Sequence, residues 1–267
     1  MPVDPTQTRQ VLVVHGVQTT SEDRLDQDRL IDELIRNRMG SIPLRFTTRL
    51  FGYEGINDAA VQKFKTLLRL FVKNPVGKVL GSAAIDLVGD VVIALRKSGA
   101  AAEIRAGLRQ AILDIFAQGA PCYIVAHSLG SIYAIDVINR LIRDGQHFDR
   151  ASRRTWPVQG LLTFGSPIGL DMFKVPGRKT VASLGEGHKW FRWHNYYDLT
   201  DPVVSGQIFG QQLQGFRIAE NYLRTSPRQG WVIRDRQVDT GKGWLMAHVA
   251  YWENPMVGDG LVDMIAN

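Results

Sequence analysis

The chain has 267 residues, 45% of them hydrophobic and 22% charged, which is ample for a packed core and unlike a disordered or fibrous composition. Its one cysteine, Cys122, rules out an intrachain disulfide framework and fits a reducing compartment. The net charge of +6 would suit an anionic partner. However, the sequence has no zinc-finger spacing, no glycine-rich aromatic RNA-binding strand and no dense Lys/Arg stripe, so nucleic acid is not expected.

The first residues, MPVDPTQTRQ, lack the basic-then-apolar pattern of a signal peptide, which predicts a cytoplasmic chain. Arg9–Val14 (RQVLVV) reads as a short apolar strand stopped by His15-Gly16. Residues 19–40 read as a helix, with Leu25, Leu30, Leu34 and Ile35 on one side, acids early and Gly40 as the stop. Residues 42–50 alternate and read as a strand. Residues 100–118 predict an amphipathic helix, with Ile104, Leu108, Ala111, Ile112, Ile115 and Phe116 on one face. Cys122–Ala126 is a continuous apolar strand of the kind buried on both faces of a parallel sheet. A helix over 128–143 follows at once, then strands over 159–164, 190–197 and 231–238, and a short helix from about Pro255. Strands alternating with helices predict an α/β fold with a mostly parallel sheet and helices on both faces.

One stretch, residues 61–97, carries two apolar stripes at helical spacing: Val61, Phe64, Leu68 and Phe71, then Val76, Val79, Leu80, Ala83, Leu87 and Val91. Charges interrupt it every few residues, so it is not a transmembrane helix. It predicts a helical insertion.

The chemistry centres on Ala126-His127-Ser128-Leu129-Gly130. A serine hydroxyl is a poor nucleophile until a base takes its proton and donors stabilise the oxyanion. A sharp strand–turn–helix elbow exposes such a hydroxyl, and it needs small residues two before and two after the serine. Ala126 and Gly130 meet that need, although glycine is usual in the first place. The competing reading is an ordinary helix-capping serine. Context favours the elbow: a buried strand precedes it, an amphipathic helix follows, and VLVVHGVQ (11–18) supplies a second motif. An oxyanion hole here would take the amide of Leu129 and, from the loop after the first strand, that of Val17. His15, Gly16, His127 and Gly130 support the motif.

Taken together, VVHG, VAHSLGS and LTFGSPIG resemble the lipase and esterase branch of the α/β-hydrolase superfamily, with similarity to inositol-deacylase-like and bacterial phospholipase-like serine hydrolases. The resemblance spans about residues 10–252 and departs at Ala126 and at 52–98. It implies a single α/β-hydrolase domain over 1–267 with 52–98 as a helical lid. It also implies a triad in the chain order Ser, acid, His. Of six histidines, His15 belongs to the oxyanion loop, His127 turns away across the elbow, and His147 sits in a surface loop. His188 and His194 precede the acid, while His248 follows the last expected strand, where the resemblance implies the base; the competing reading of His248 is a partly buried histidine capping a helix. The acid is Asp201, whose Asp-Pro pair resembles the family's acid loop. Asp198 is the alternative, with a loop-capping role of its own, and Asp171 is more remote.

No pair of ligating residues has zincin or thiolate spacing and no P-loop or Rossmann pattern is present, so no metal or cofactor is expected. The expected activity is hydrolysis of an acyl ester, small or lipid. The basic side of 61–97 (Lys63, Lys65, Arg69, Lys73, Lys78) would suit peripheral contact with an anionic membrane. Two alternatives stay open: a non-catalytic binding module, and an acyltransferase or thioesterase using the same triad.

Overall fold

The computed structural model of the chain describes residues 3–16, 26–53, 99–144, 155–169, 191–205, 232–243 and 245–267. The expected insertion at 61–97, Val17, Leu25, His147, Asp171 and His188 lie outside the described residues.

Six strands form one parallel sheet: β1 (Arg9–Val14), β2 (Phe46–Phe51), β3 (Cys122–His127), β4 (Val158–Phe164), β5 (Arg192–Tyr197) and β6 (Val232–Gln237). Their order across the sheet is β2-β1-β3-β4-β5-β6. The described helices are α1 (Gln27–Met39), α2 (Gly99–Ala117), α3 (Leu129–Asp144), the short α4 (Pro202–Ser205) and α5 (Leu245–Val249), and α6 (Pro255–Ala266). Every residue of β3 and β4 is buried. That is why Cys122–Ala126 reads as an unbroken apolar run: helices cover both faces of the strand, so neither side alternates with polar residues.

The strands divide their side chains by parity. Leu12, Val14, Ile124, Ala126 and Leu161 face a core completed by Ile104, Leu108 and Ile112 of α2 and Ile132, Ile135 and Ile138 of α3. Val11, Val13, Tyr123, Val125, Leu162 and Phe164 face a second core with Ile31, Leu34 and Ile35 of α1 and Val257, Leu261 and Ile265 of α6. Two helical layers therefore sandwich the sheet, which is the architecture expected from the strand–helix alternation.

Two boundaries differ from the sequence reading. The strand expected from Ile42 begins at Phe46. Ile42 N–H bonds the Met39 carbonyl and Leu44 N–H bonds that of Ile42, while Pro43 has no N–H to give. These residues close the turn after α1 instead of joining the ladder. The helix expected from Ser128 begins at Leu129, and Ser128 stands before it at φ 51.

The chain winds from β1 to the β2 side, then returns to build β3 on the other side of β1. The carboxyl ends of β1 and β3 flank that reversal, where open α/β sheets form their ligand crevice. A parallel sheet of this order, with helices on both faces and a serine elbow after β3, is an α/β-hydrolase fold.

Candidate active site

Ser128 is the only non-glycine residue with positive φ among the described residues. Left-handed backbone costs an L-residue about 1–2 kcal/mol, so something must hold it there. Three contacts do. Ser128 N–H bonds the Phe164 carbonyl of β4 at 3.2 Å. The Ser128 carbonyl accepts Ser131 N–H at 3.0 Å and the Ser131 hydroxyl at 2.5 Å. Ser131, fully buried, also meets the Ser166 hydroxyl at 2.6 Å.

The turn leaves no room around it. A Cβ on Gly130 would lie 2.6 Å from the Val14 carbonyl oxygen, and one on Gly16 would lie 2.7 Å from Ser128 Cβ. This is the physical reason for the small residue two after the serine, and it puts the His15-Gly16 loop against Ser128. The His15 ring stacks on Tyr53 at 4.6 Å, and the Tyr53 hydroxyl donates to the His15 carbonyl at 2.8 Å. Leu129 opens α3, so its N–H is among those an α-helix leaves without an intrahelical acceptor. The other amide expected there, that of Val17, is outside the described residues.

Ser128 Oγ lies 2.9 Å from His248 Nε2, and His248 Nδ1 lies 2.9 Å from Asp201 Oδ2. With the Nδ1 proton donated to the carboxylate, Nε2 is left to accept the serine O–H. All three side chains are buried. They come from three strand ends: Ser128 after β3, Asp201 after β5, and His248 from α5 beyond β6. Asp201 Oδ1 accepts Val203 N–H at 2.9 Å and so caps the start of α4.

Asp198, the alternative acid, is engaged elsewhere. Its Oδ1 accepts the N–H and hydroxyl of Thr200, and its Oδ2 accepts those of Thr240. Burial pushes its pKa up, but these bonds outweigh burial and hold the carboxyl below its usual range. It ties the turn after β5 to the segment after β6, the loop-capping role weighed for it above. His194 is fully buried on β5, 4.0 Å from Asp263 of α6, and is not part of this group.

His127 does not simply turn away across the elbow. Its Nε2–H donates to the His248 backbone carbonyl at 2.8 Å, and the two rings lie 4.7 Å apart. Burial, and then the nearby His248, hold its pKa well below the usual 6.5, so it is a neutral donor under the loop that carries His248. Two further residues escaped the sequence reading. The Tyr251 hydroxyl donates to Asp201 Oδ2 at 2.9 Å and accepts Asp198 N–H at 2.8 Å. Gly165, at φ 57, packs so closely that an added Cβ would lie 3.0 Å from His248 Nδ1. The spacing of Tyr251, three residues beyond His248, was the one available signal, since it aligns them on one side of a helical turn.

Among the described residues, no group of three or more His, Cys, Asp or Glu side chains converges as metal ligands would. No described helix is long and apolar enough to cross a membrane.

No family model matches this chain, and no curated protein matches it. Among solved structures it is similar to TT1662 from Thermus thermophilus, at 13% identity and a TM-score of 0.48, covering 98% of this chain and 89% of that one. It is also similar to a cutinase-like protein from Cryptococcus sp., at 10% identity and a TM-score of 0.38, covering 97% and 93%. At those values neither likeness bears on what this chain does.

Proposed function

We propose that the protein is a serine hydrolase that cleaves acyl esters. The observation that carries this reading is the continuous hydrogen-bonded chain Ser128–His248–Asp201, with Ser128 on a left-handed turn. Ser128 Oγ attacks the ester carbonyl as His248 Nε2 takes its proton. Asp201 fixes the imidazole tautomer and stabilises its charged form. The Leu129 and Val17 amides receive the oxyanion. His248 then returns the proton to the departing alcohol, and a water activated by the same imidazole cleaves the acyl-enzyme.

The lipase or phospholipase assignment rests on the sequence of 61–97 and on the motif resemblance. Apolar and basic stripes suit a lid over an acyl pocket at an anionic surface, within a single domain in which 52–98 forms the cap. On this reading, longer acyl chains and anionic vesicles both raise the rate.

The test is Ser128→Ala, assayed on p-nitrophenyl acyl esters and with a fluorophosphonate probe. The wild-type chain hydrolyses the esters and is labelled at Ser128. The variant loses both while its circular dichroism is unchanged. Retained hydrolysis in Ser128→Ala, or a wild-type chain that neither hydrolyses nor labels, overturns the reading.

A further inference from the structure

We propose that Tyr251 is a positioning residue for this chain of groups, aligning Asp201 and tempering its pull on the His248 proton through the phenolic hydrogen bond to Oδ2. The inference rests on the hydrolase reading above and adds to it what governs the pH range over which His248 works.

Tyr251 is fully buried in the 3-10 turn Ala250–Glu253 that continues α5. Its hydroxyl and His248 Nδ1–H both point at one oxygen, Asp201 Oδ2, each at 2.9 Å. Oδ1 is occupied by Val203 N–H. The carboxylate thus meets three donors, and the phenol is the one that shares Oδ2 with the imidazole. The backbone N–H of Asp198 donates to that same phenol oxygen, which polarises its O–H toward Asp201. Burial, and then the charge of Asp201, push the phenol well above its usual pKa of 10, so it remains a neutral donor. The Phe164 ring, 5.6 Å away and stacked on it, leaves it little freedom to turn aside.

The other ionisable groups against His248 come from separate elements. Asp201 is on the turn after β5, His127 is neutral on β3, and Asp198 has its carboxylate turned to Thr200 and Thr240. None of them replaces the phenol proton. Losing it leaves more negative charge on Oδ2 facing the imidazole, which favours protonated His248. A side chain that merely filled space would not move that balance.

The test compares wild type with Tyr251→Phe, which keeps the ring and removes the donor. Two readouts are taken: the acid limb of kcat/KM on a p-nitrophenyl ester, and the His248 ring titration by NMR. Both midpoints are expected to rise by about half a unit to one unit, with kcat on the plateau down about threefold to tenfold. A midpoint that stays or falls overturns the proposal. In an Asp201→Asn background, Tyr251→Phe is expected to shift nothing, and an equal shift there also overturns it. Incorporating 3-fluorotyrosine at 251, a stronger donor, moves the midpoint down, which covers the case in which Tyr251→Phe fails to fold. If the wild-type chain hydrolyses no ester, the hydrolase reading fails, while the NMR midpoint still decides the role of Tyr251.

Discussion

At the scale of single residues, the site is built from backbone that its sequence does not prefer. Ser128 sits at φ 51, held by bonds to Phe164 and Ser131. The cost of that conformation is measurable apart from catalysis. Ser128→Ala and Ser128→Gly both remove the hydroxyl and its bond to His248, but only glycine relieves the strained turn. Part of the gain is offset by the greater freedom of glycine in the unfolded chain. Urea denaturation is expected to find Ser128→Gly more stable than Ser128→Ala by about 0.5–1 kcal/mol. Equal stabilities, or alanine ahead, would mean that the turn stores no strain. The pattern A-H-S-L-G made this residue legible because close packing dictates small neighbours, and Gly130 against the Val14 carbonyl is that packing. Tyr251 and Gly165 were not legible. A tyrosine or a glycine declares its role only when the fold brings an Asp201 oxygen or a His248 ring against it.

At the scale of elements, the two acids after β5 separate structure from chemistry. Helix α2 and strand β3 were readable from hydrophobic pattern, because burial on one stripe or on both faces writes that pattern into the chain. The start of β2 was not, because Pro43 and the turn after α1 take residues whose alternation looks like strand. Asp198 and Asp201 stand three positions apart, and the Asp-Pro pair that favours Asp201 in sequence is only a resemblance, whereas the pairing of β5 with β6 separates them physically. That pairing carries Thr240 to Asp198 and leaves Asp201 to His248. Asp198→Ala removes the acceptor for two backbone N–H groups and two hydroxyls, so it is expected to cost about 2–4 kcal/mol in chemical denaturation. Asp201→Asn keeps the shape, yet leaves the imidazole without its anionic partner. It is expected to lower kcat about 10³–10⁴-fold with a smaller loss of stability. The reverse pattern, with Asp198→Ala inactive but stable, would exchange the two assignments.

At the scale of the whole molecule, a sheet covered on both faces buries groups that have no use for a charge. His194 lies on β5 beneath α6, fully buried, and among the described residues neither of its ring nitrogens has a hydrogen-bond partner. Asp263 of α6 approaches its Nε2 only to 4.0 Å. Burial, and then the field of Arg236 with smaller effects from Arg234 and Arg192, push its pKa down to about 4, against the opposing pull of Asp263. Because the folded-state value lies below the usual 6.5, the unfolded chain takes up a proton between those values while the native protein does not. The stability that follows is complete above about 6.5 and is lost as pH falls toward about 4. His127, buried and shifted the same way, adds to the same loss. Asp198 acts in a lower window. Its pKa is held below the usual 3.8, so its contribution is full only above that value and is lost as pH falls through it toward the lower folded-state value. Melting temperatures between pH 7 and pH 4.5 therefore isolate the histidines. The wild-type Tm is expected to fall steadily across that interval, and His194→Leu, which cannot be protonated, is expected to fall less steeply. Parallel curves for the two proteins would show that protonation of His194 is not what opens the sheet against α6, and would leave His127 to account for the slope.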